Sequence, residues 1–355
     1  MLILDYQFSD NSKIKALLSE VKRQEKEIKS VSIPPKLFQK IFKRNYLNQA
    51  YSSTRIEYSI VSYNAAQKVI FAKKAHSEIE REVLNIANAH LAISSELRNP
   101  VTDKFIIGVH TKISDGLKGS LREPSYGSGK YRKIQNYLGE LFSDRITYTF
   151  PDPKDVPKLM KKLNGFVNAN KELDKLLIPG IFHFLFIAIH PFINGNGRTV
   201  RVIEDFLLKK AGYNLRNLYN LSRYYYLHLK SYHFFLNQGR DRHDLTDFLE
   251  FYLQGICEEQ KNVFEEKKFL ERMERLQSLP EWDKMDKTDK KLLGYAARNG
   301  EMSIKKAVKL SSRDLTDEAV RLRYQKYIAL GILEKLGDYK MVKYVWKESK
   351  DAGIG

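Results

Sequence analysis

The sequence predicts a mainly α-helical protein with one small β-hairpin, followed by a separate domain of three helices and a second hairpin. Three observations carry that expectation. Residues 53–95 contain neither glycine nor proline, and Val83, Ile86, Ala87, His90 and Leu91 recur at helical spacing. The densest apolar run, 176–193, reads LLIPGIFHFLFIAIHPFI, as a buried central helix should. Beyond Pro280 and Trp282 the pattern changes to short helices and strand-like runs.

Taken in order, residues 1–50 are mixed and basic, and Ile33-Pro34-Pro35 is a break before a short helix. A helix ends before Pro100, and another spans 101–115 from Thr102-Asp103. Glycines punctuate 116–153, and the β-prone Thr147-Tyr148-Thr149-Phe150 stops at Pro151-Asp152-Pro153, which predicts a loop and a hairpin. Asp155 to Asn170 resumes helix, with Pro157 tolerable in its first turn. A helix over 197–211 would end at Gly212, and two or three more fill 221–277. Past Pro280, helices are expected at 287–298, 303–310 and 315–330, then strands at 331–335 and 342–346.

The 355 residues suffice for two domains, or for one large domain with an appendage. A single cysteine, Cys257, excludes an internal disulfide and fits a reducing, cytoplasmic setting. No secretory leader is expected. Pro179, Gly180, His183, His190 and Pro191 argue against reading the apolar run as a membrane span. The net charge of +18 admits nucleic acid as a partner, although the basic residues are interspersed with acidic ones, as on a solvated helical surface.

Residues 190–201, His-Pro-Phe-Ile-Asn-Gly-Asn-Gly-Arg-Thr-Val-Arg, carry the chemistry. A neutral imidazole, His190, can serve as a base near pH 7. Gly195 and Gly197 let backbone N–H groups approach an anion, and a helix starting there aims its free N–H groups and dipole at the same point. Asn196 would orient a phosphate or cap the helix. Arg198 and Arg201, three apart, share a helix face and offer forked donors suited to phosphate oxygens.

This stretch resembles the core motif of the Fic (filamentation-induced-by-cAMP) family, His-Pro-Phe-x-(Asp/Glu)-Gly-Asn-Gly-Arg-x-x-Arg. The match departs only at Asn194, where the family has an acid. The resemblance implies a Fic-type helical core with a small β-hairpin flap, and an AMP transferase. Its histidine deprotonates a Ser, Thr or Tyr hydroxyl of a target protein, which attacks the α-phosphorus of ATP. The family acid holds Mg²⁺, so Asn194 implies a weakened metal position, and three outcomes stay open: slow AMP transfer, another nucleotide or leaving group, or binding without turnover. Upstream, Ser53 and Glu57 match the family's inhibitory segment, Ser/Thr-x-x-x-Glu-Gly/Asn, with Tyr58 replacing the small residue. By resemblance Glu57 pairs with Arg201 and restrains activity. Thr147, Tyr148, Thr149 and Phe150 resemble the flap that docks an extended target. Tyr225, His228 and Tyr232 fall where the family closes its base pocket, or are simply packed in the core.

The expected organisation is an N-terminal helical segment with the inhibitory motif (1–95), a Fic core (96–279) and a domain that resembles a winged helix (280–355). In the last, Arg313, Arg321, Arg323 and Lys326 could reach DNA. Three functions follow: a self-restrained protein adenylyltransferase, a DNA-binding regulator with a nucleotide-sensing or self-modifying Fic region, or a catalytically weak nucleotide-binding protein. Self-modification and a homodimer are further expectations; a membrane partner is not.

Overall fold

The computed structural model describes residues 5–118, 127–139, 146–311, 314–337 and 342–348. The chain forms two compact units, residues 1–32 with 38–262, and residues 33–37 with 263–355. Among the described residues no helix is long and apolar enough to cross a membrane.

The first unit is built around α7 (Leu177–Ile189) and α8 (Asn196–Lys210). Every residue of α7 except Ile187 is buried, as an all-round apolar helix requires. It packs on α6 (Val156–Ala169) and α8, and α8 also meets α4 (Glu78–Ile93) and α5 (Asp103–Ser114). Thr102 caps α5 by accepting the Phe105 N–H, as expected. After α8 the chain forms α9 (Leu221–Leu227), α10 (Leu229–Arg242) and α11 (Thr246–Gln277).

The helical pattern expected over 53–95 is divided among three helices. Two of them are α2 (Pro35–Ile56) and α3 (Tyr63–Ala72), and α4 completes the set. Polar caps do what glycine and proline do elsewhere: Ser62 and Ser77 accept the N–H groups of Ala65 and Glu80. Two non-glycine residues make the turns in left-handed conformation, Tyr58 (φ 61°) and Lys73 (φ 53°). The short helix expected after Ile33-Pro34-Pro35 is instead the 22-residue α2, because Pro35 opens it at a position where its missing N–H costs nothing. Residues 12–30 form a helix the sequence reading lacked, α1 (Ser12–Ser30), capped by Asn11 and burying Ile14, Leu18, Val21 and Ile28 along one face.

The hairpin is β1 (Tyr137–Gly139) against β2 (Ile146–Thr149), antiparallel, with Leu138 opposite Tyr148 and a register shift between Leu138 and Gly139. In the second unit α12 (Lys287–Asn299), β3 (Glu301–Met302), α13 (Ile304–Leu310), α14 (Asp317–Ala329), β4 (Leu333–Leu336) and β5 (Lys343–Trp346) follow in order. The sheet order is β3-β5-β4, antiparallel throughout. The boundary expected at residue 280 lies earlier, at Val263, because Phe269, Met273 and Leu276 of α11 pack into this unit's core with Leu292, Tyr324 and Trp346. Of the basic residues proposed for DNA, Arg313 lies outside the described residues. Arg323 forks between Asp286 and Asp289, and Lys326 reaches Asp289. Arg321 is exposed.

Candidate nucleotide site at the start of α8

Gly195, in left-handed conformation (φ 78°), turns the chain into α8, so the N–H groups of the helix's first turn face a common point. The Glu57 carboxylate lies beside this turn. Helix α2 ends at Ile56, and Glu57 lies one residue beyond it. A Cβ placed on Gly197 would clash with Glu57 Oε1, so a side chain at 197 would displace this carboxylate. Arg201 donates to the same oxygen at 2.7 Å, and to the hydroxyl and carbonyl oxygens of Ser53 at 3.0 and 2.9 Å. Burial opposes ionisation of Glu57, but Arg201 and Arg198 outweigh it and hold the carboxyl below the usual range. The left-handed Tyr58 that follows is a conformation glycine or asparagine adopts at lower cost.

Arg198, 1% exposed, pairs with Glu82 of α4 and donates to Asn194 Oδ1 at 3.1 Å. Both motif arginines therefore meet a carboxylate brought by a separate helix, and sequence spacing gave no sign of Glu82. Asn196 neither caps the helix nor turns its amide toward the cradle. Its side chain closes on the main chain of Phe192, accepting from N–H at 2.9 Å and donating to the carbonyl at 2.8 Å. The cap position belongs to Gly195. Asn196 thus shapes the loop that presents the glycines.

His190 terminates α7 in left-handed conformation (φ 53°) and is half-buried. Its ring stacks on Phe150 of the hairpin, centroids 4.0 Å apart, and its Nδ1 lies 3.3 Å from the Ile187 carbonyl. A carbonyl there keeps the proton on Nδ1 in the neutral ring and leaves Nε2 as the basic nitrogen. Desolvation, helped by the charges of Arg132 and Arg240, pushes the imidazole down to about 4. Arg132 ties the hairpin to this corner: its guanidinium donates to the carbonyls of His190, Ile134 and Pro151. Glu57 connects the two ends of the site, since it sits on Gly197 and also acts electrostatically on His190.

The model of the Fic/DOC family matches residues 100–208, which include the apolar helix, the glycine turn and both arginines. Those residues are a Fic domain. The protein adenylyltransferase Fic of Culex quinquefasciatus is 27% identical over 180 residues, covering 48% of this chain and 33% of that protein. The corresponding protein of Nematostella vectensis is 28% identical over 217 residues, 57% of this chain and 47% of the relative. The chain therefore spans between a third and a half of the curated relatives it matches. Among solved structures, a Fic family protein from Desulfovibrio desulfuricans aligns with TM-score 0.60 at 18% identity, covering 98% of this chain and 100% of that one. Fic-1 from C. elegans aligns with TM-score 0.57 at 16% identity over 71% and 72% of the two chains. These likenesses concern the fold.

Of the two readings left open for the aromatics of α9 and α10, base pocket or core packing, the tyrosines follow the second. Tyr225 and Tyr232 are core residues, 0% and 2% exposed. The Tyr225 hydroxyl donates to Glu204 at 2.8 Å, Tyr232 meets His183 at 2.8 Å, and His183 contacts the same Glu204 oxygen at 2.9 Å. A buried carboxylate needs such partners, so aromatic residues here complete a polar network beneath Arg201 rather than line an opening. His228, at the α9–α10 junction, contacts Tyr224 and Glu258. The histidine of α10 that senses Glu57 and Arg201 is His233, which sequence reasoning missed.

The donor set fits a divalent cation poorly. Asn194 Oδ1 accepts from Gly195 N–H at 2.6 Å and from Arg198, an arrangement that directs positive donors at the oxygen a metal would need. Among the described residues no group of three or more His, Cys, Asp or Glu side chains could hold one.

Proposed function

We propose that this chain is a protein adenylyltransferase that holds itself inactive with Glu57. The observation that carries the reading is the carboxylate seated on the α8 N-terminus against Gly197 and paired with Arg201. A carboxylate there is a surrogate for a terminal phosphate, because both pair with a forked guanidinium beside the start of a helix. The family names of the sequence relatives support the nucleotide as ATP.

In this reading the backbone N–H groups around Gly195 and Gly197, with Arg198 and Arg201, hold the β- and γ-phosphates once Glu57 withdraws. The target hydroxyl lies against His190, whose neutral ring takes the proton. The hydroxyl oxygen bonds to the α-phosphorus, the bond from that phosphorus to the bridging oxygen breaks, and pyrophosphate leaves. Catalysis rests on positioning and on neutralising the phosphate charge. Thr147 and Thr149 are exposed on β2, and we read the hairpin as the edge that an extended target segment joins. No step is routed through Mg²⁺.

The test is transfer of α-phosphate label from ATP to protein by wild type, Glu57→Gly, and Glu57→Gly combined with His190→Ala. Label should rise several-fold in the first variant and vanish in the double variant. Equal labelling in all three would overturn the reading, and labelling of the chain itself would identify self-modification. We read the second unit as a winged-helix docking platform, since Asp286 and Asp289 engage Arg323 and Lys326. Salt-sensitive binding to duplex DNA, lost on deleting 281–355, would assign it to DNA instead.

A further inference from the structure

We propose that Arg240 of α10 is a positioning residue for the transfer reaction, fixing the flap hairpin so that Phe150 holds the His190 ring in place. The inference rests on the adenylyltransferase reading for its kinetic half only.

A two-stranded hairpin is marginal in water and needs an outside hold. At its base the hold is the main-chain clamp of Arg132, aided by Asn136, which donates to the carbonyls of Phe192 and Ile193. On β2 it is aromatic. Arg240 is 7% exposed, and its guanidinium carbon stands 4.6 Å from the Tyr148 ring centroid and 6.0 Å from that of Phe150. Tyr148 meets Phe150 edge-to-face, centroids 5.2 Å apart at 83°. Phe150, 3% exposed, lies on His190. The cation, two aromatic rings and the imidazole thus form a continuous stack from α10 to the base.

The stack is closed at its far side by the N-terminal segment. The Tyr6 ring packs on His243 and Phe184 at 4.9 and 5.2 Å, and burial and the neighbouring Tyr148 raise the pKa of its hydroxyl. Gln7 fixes that segment by donating to the His243 carbonyl and accepting from Leu245 N–H, at 3.0 and 2.8 Å. A guanidinium removed from water gains from aromatic faces, because their π-electrons present negative charge to it. Arg240 also donates to Asn237. It touches neither of the motif arginines' carboxylate partners; beyond its charge acting on His190, its contribution to the site passes through the flap.

The test uses the full chain in the Glu57→Gly background. Arg240→Met keeps the apolar stem and removes the cation. It should lower kcat by roughly 10- to 100-fold, the scale of a small misplacement of reacting groups, while KM for ATP stays within about twofold. Amide hydrogen exchange should accelerate at 146–150 and stay unchanged in α7 and α8. Arg240→Lys should recover part of both effects. Should Arg240→Met fail to fold, Tyr148→Leu, with Arg240 intact, must produce the same kcat loss and faster flap exchange. Unchanged flap exchange, or a loss confined to KM, overturns the proposal. Absence of transfer by Glu57→Gly itself would overturn the function instead, and the exchange measurement on Arg240→Met would still decide whether this residue fixes the flap.

Discussion

His190, pushed down to about 4, is an unprotonated base at any pH above 5. The acid limb of the rate profile of Glu57→Gly should therefore fall near pH 4, below the 6.5 of a free imidazole; a limb at 6.5 would mean that burial does not act on this ring. The sign of the linked stability effect is fixed by the same shift. An unfolded His190 takes its proton near 6.5 and the folded one resists until about 4, so stability is retained above 6.5 and declines as pH falls between those values. His110, also about 4, adds to the decline, and urea midpoints at pH 7.5 and 5 measure it. Replacing Glu57 by glycine leaves a buried guanidinium without its carboxylate. A fully buried pair broken this way costs about 3–5 kcal/mol, but the Glu57 side chain is 31% exposed, so roughly 1–3 kcal/mol is expected. ATP should raise the melting temperature of that variant more than that of wild type, because phosphate restores the missing charge. At position 194 an aspartate would accept the same two hydrogen bonds with a full charge, and Asn194→Asp should lower the Mg²⁺ concentration needed for half-maximal transfer. An unchanged Mg²⁺ requirement would exclude this oxygen from metal binding.

The turn that follows helix α2 holds a residue ill-suited to its backbone. Tyr58 at φ 61° carries a left-handed cost of about 1 kcal/mol that glycine does not have. Tyr58→Gly should stabilise the closed end of α2 by up to that amount and reduce residual transfer, measured by urea unfolding and by label incorporation. At this scale the sequence was readable where one residue type does one job. The Thr102 and Ser303 caps, the glycine turn at 195–197 and the hairpin ahead of Pro151 all stand where local chemistry demanded. Residues 53–95 misled because serine caps and left-handed Tyr58 and Lys73 replaced the usual breakers. The two-residue β3 exists only because β5 pairs with it, and no local pattern announces so short a strand. In the site, His190 and the arginines were legible from spacing. Glu82, Arg240 and Tyr6 were not, because folding brings them from other elements.

At the level of the chain, the second unit depends on the end of α11. A protein ending at Leu279 would leave Phe269, Met273 and Leu276 without Leu292, Tyr324 and Trp346 to cover them. Its amides from 263 onward should exchange quickly while those of α7 and α8 remain protected. Equal protection in the full and shortened chains would show that α11 stands without the C-terminal core. The carboxylate on α8 has a consequence of a different kind. It belongs to the same polymer as the groups it occupies, so it competes at an effective concentration on the order of millimolar or above, unaffected by dilution. Raising free ATP would then displace it only weakly. On the adenylyltransferase reading, control of transfer would then pass to whatever shifts the last turn of α2.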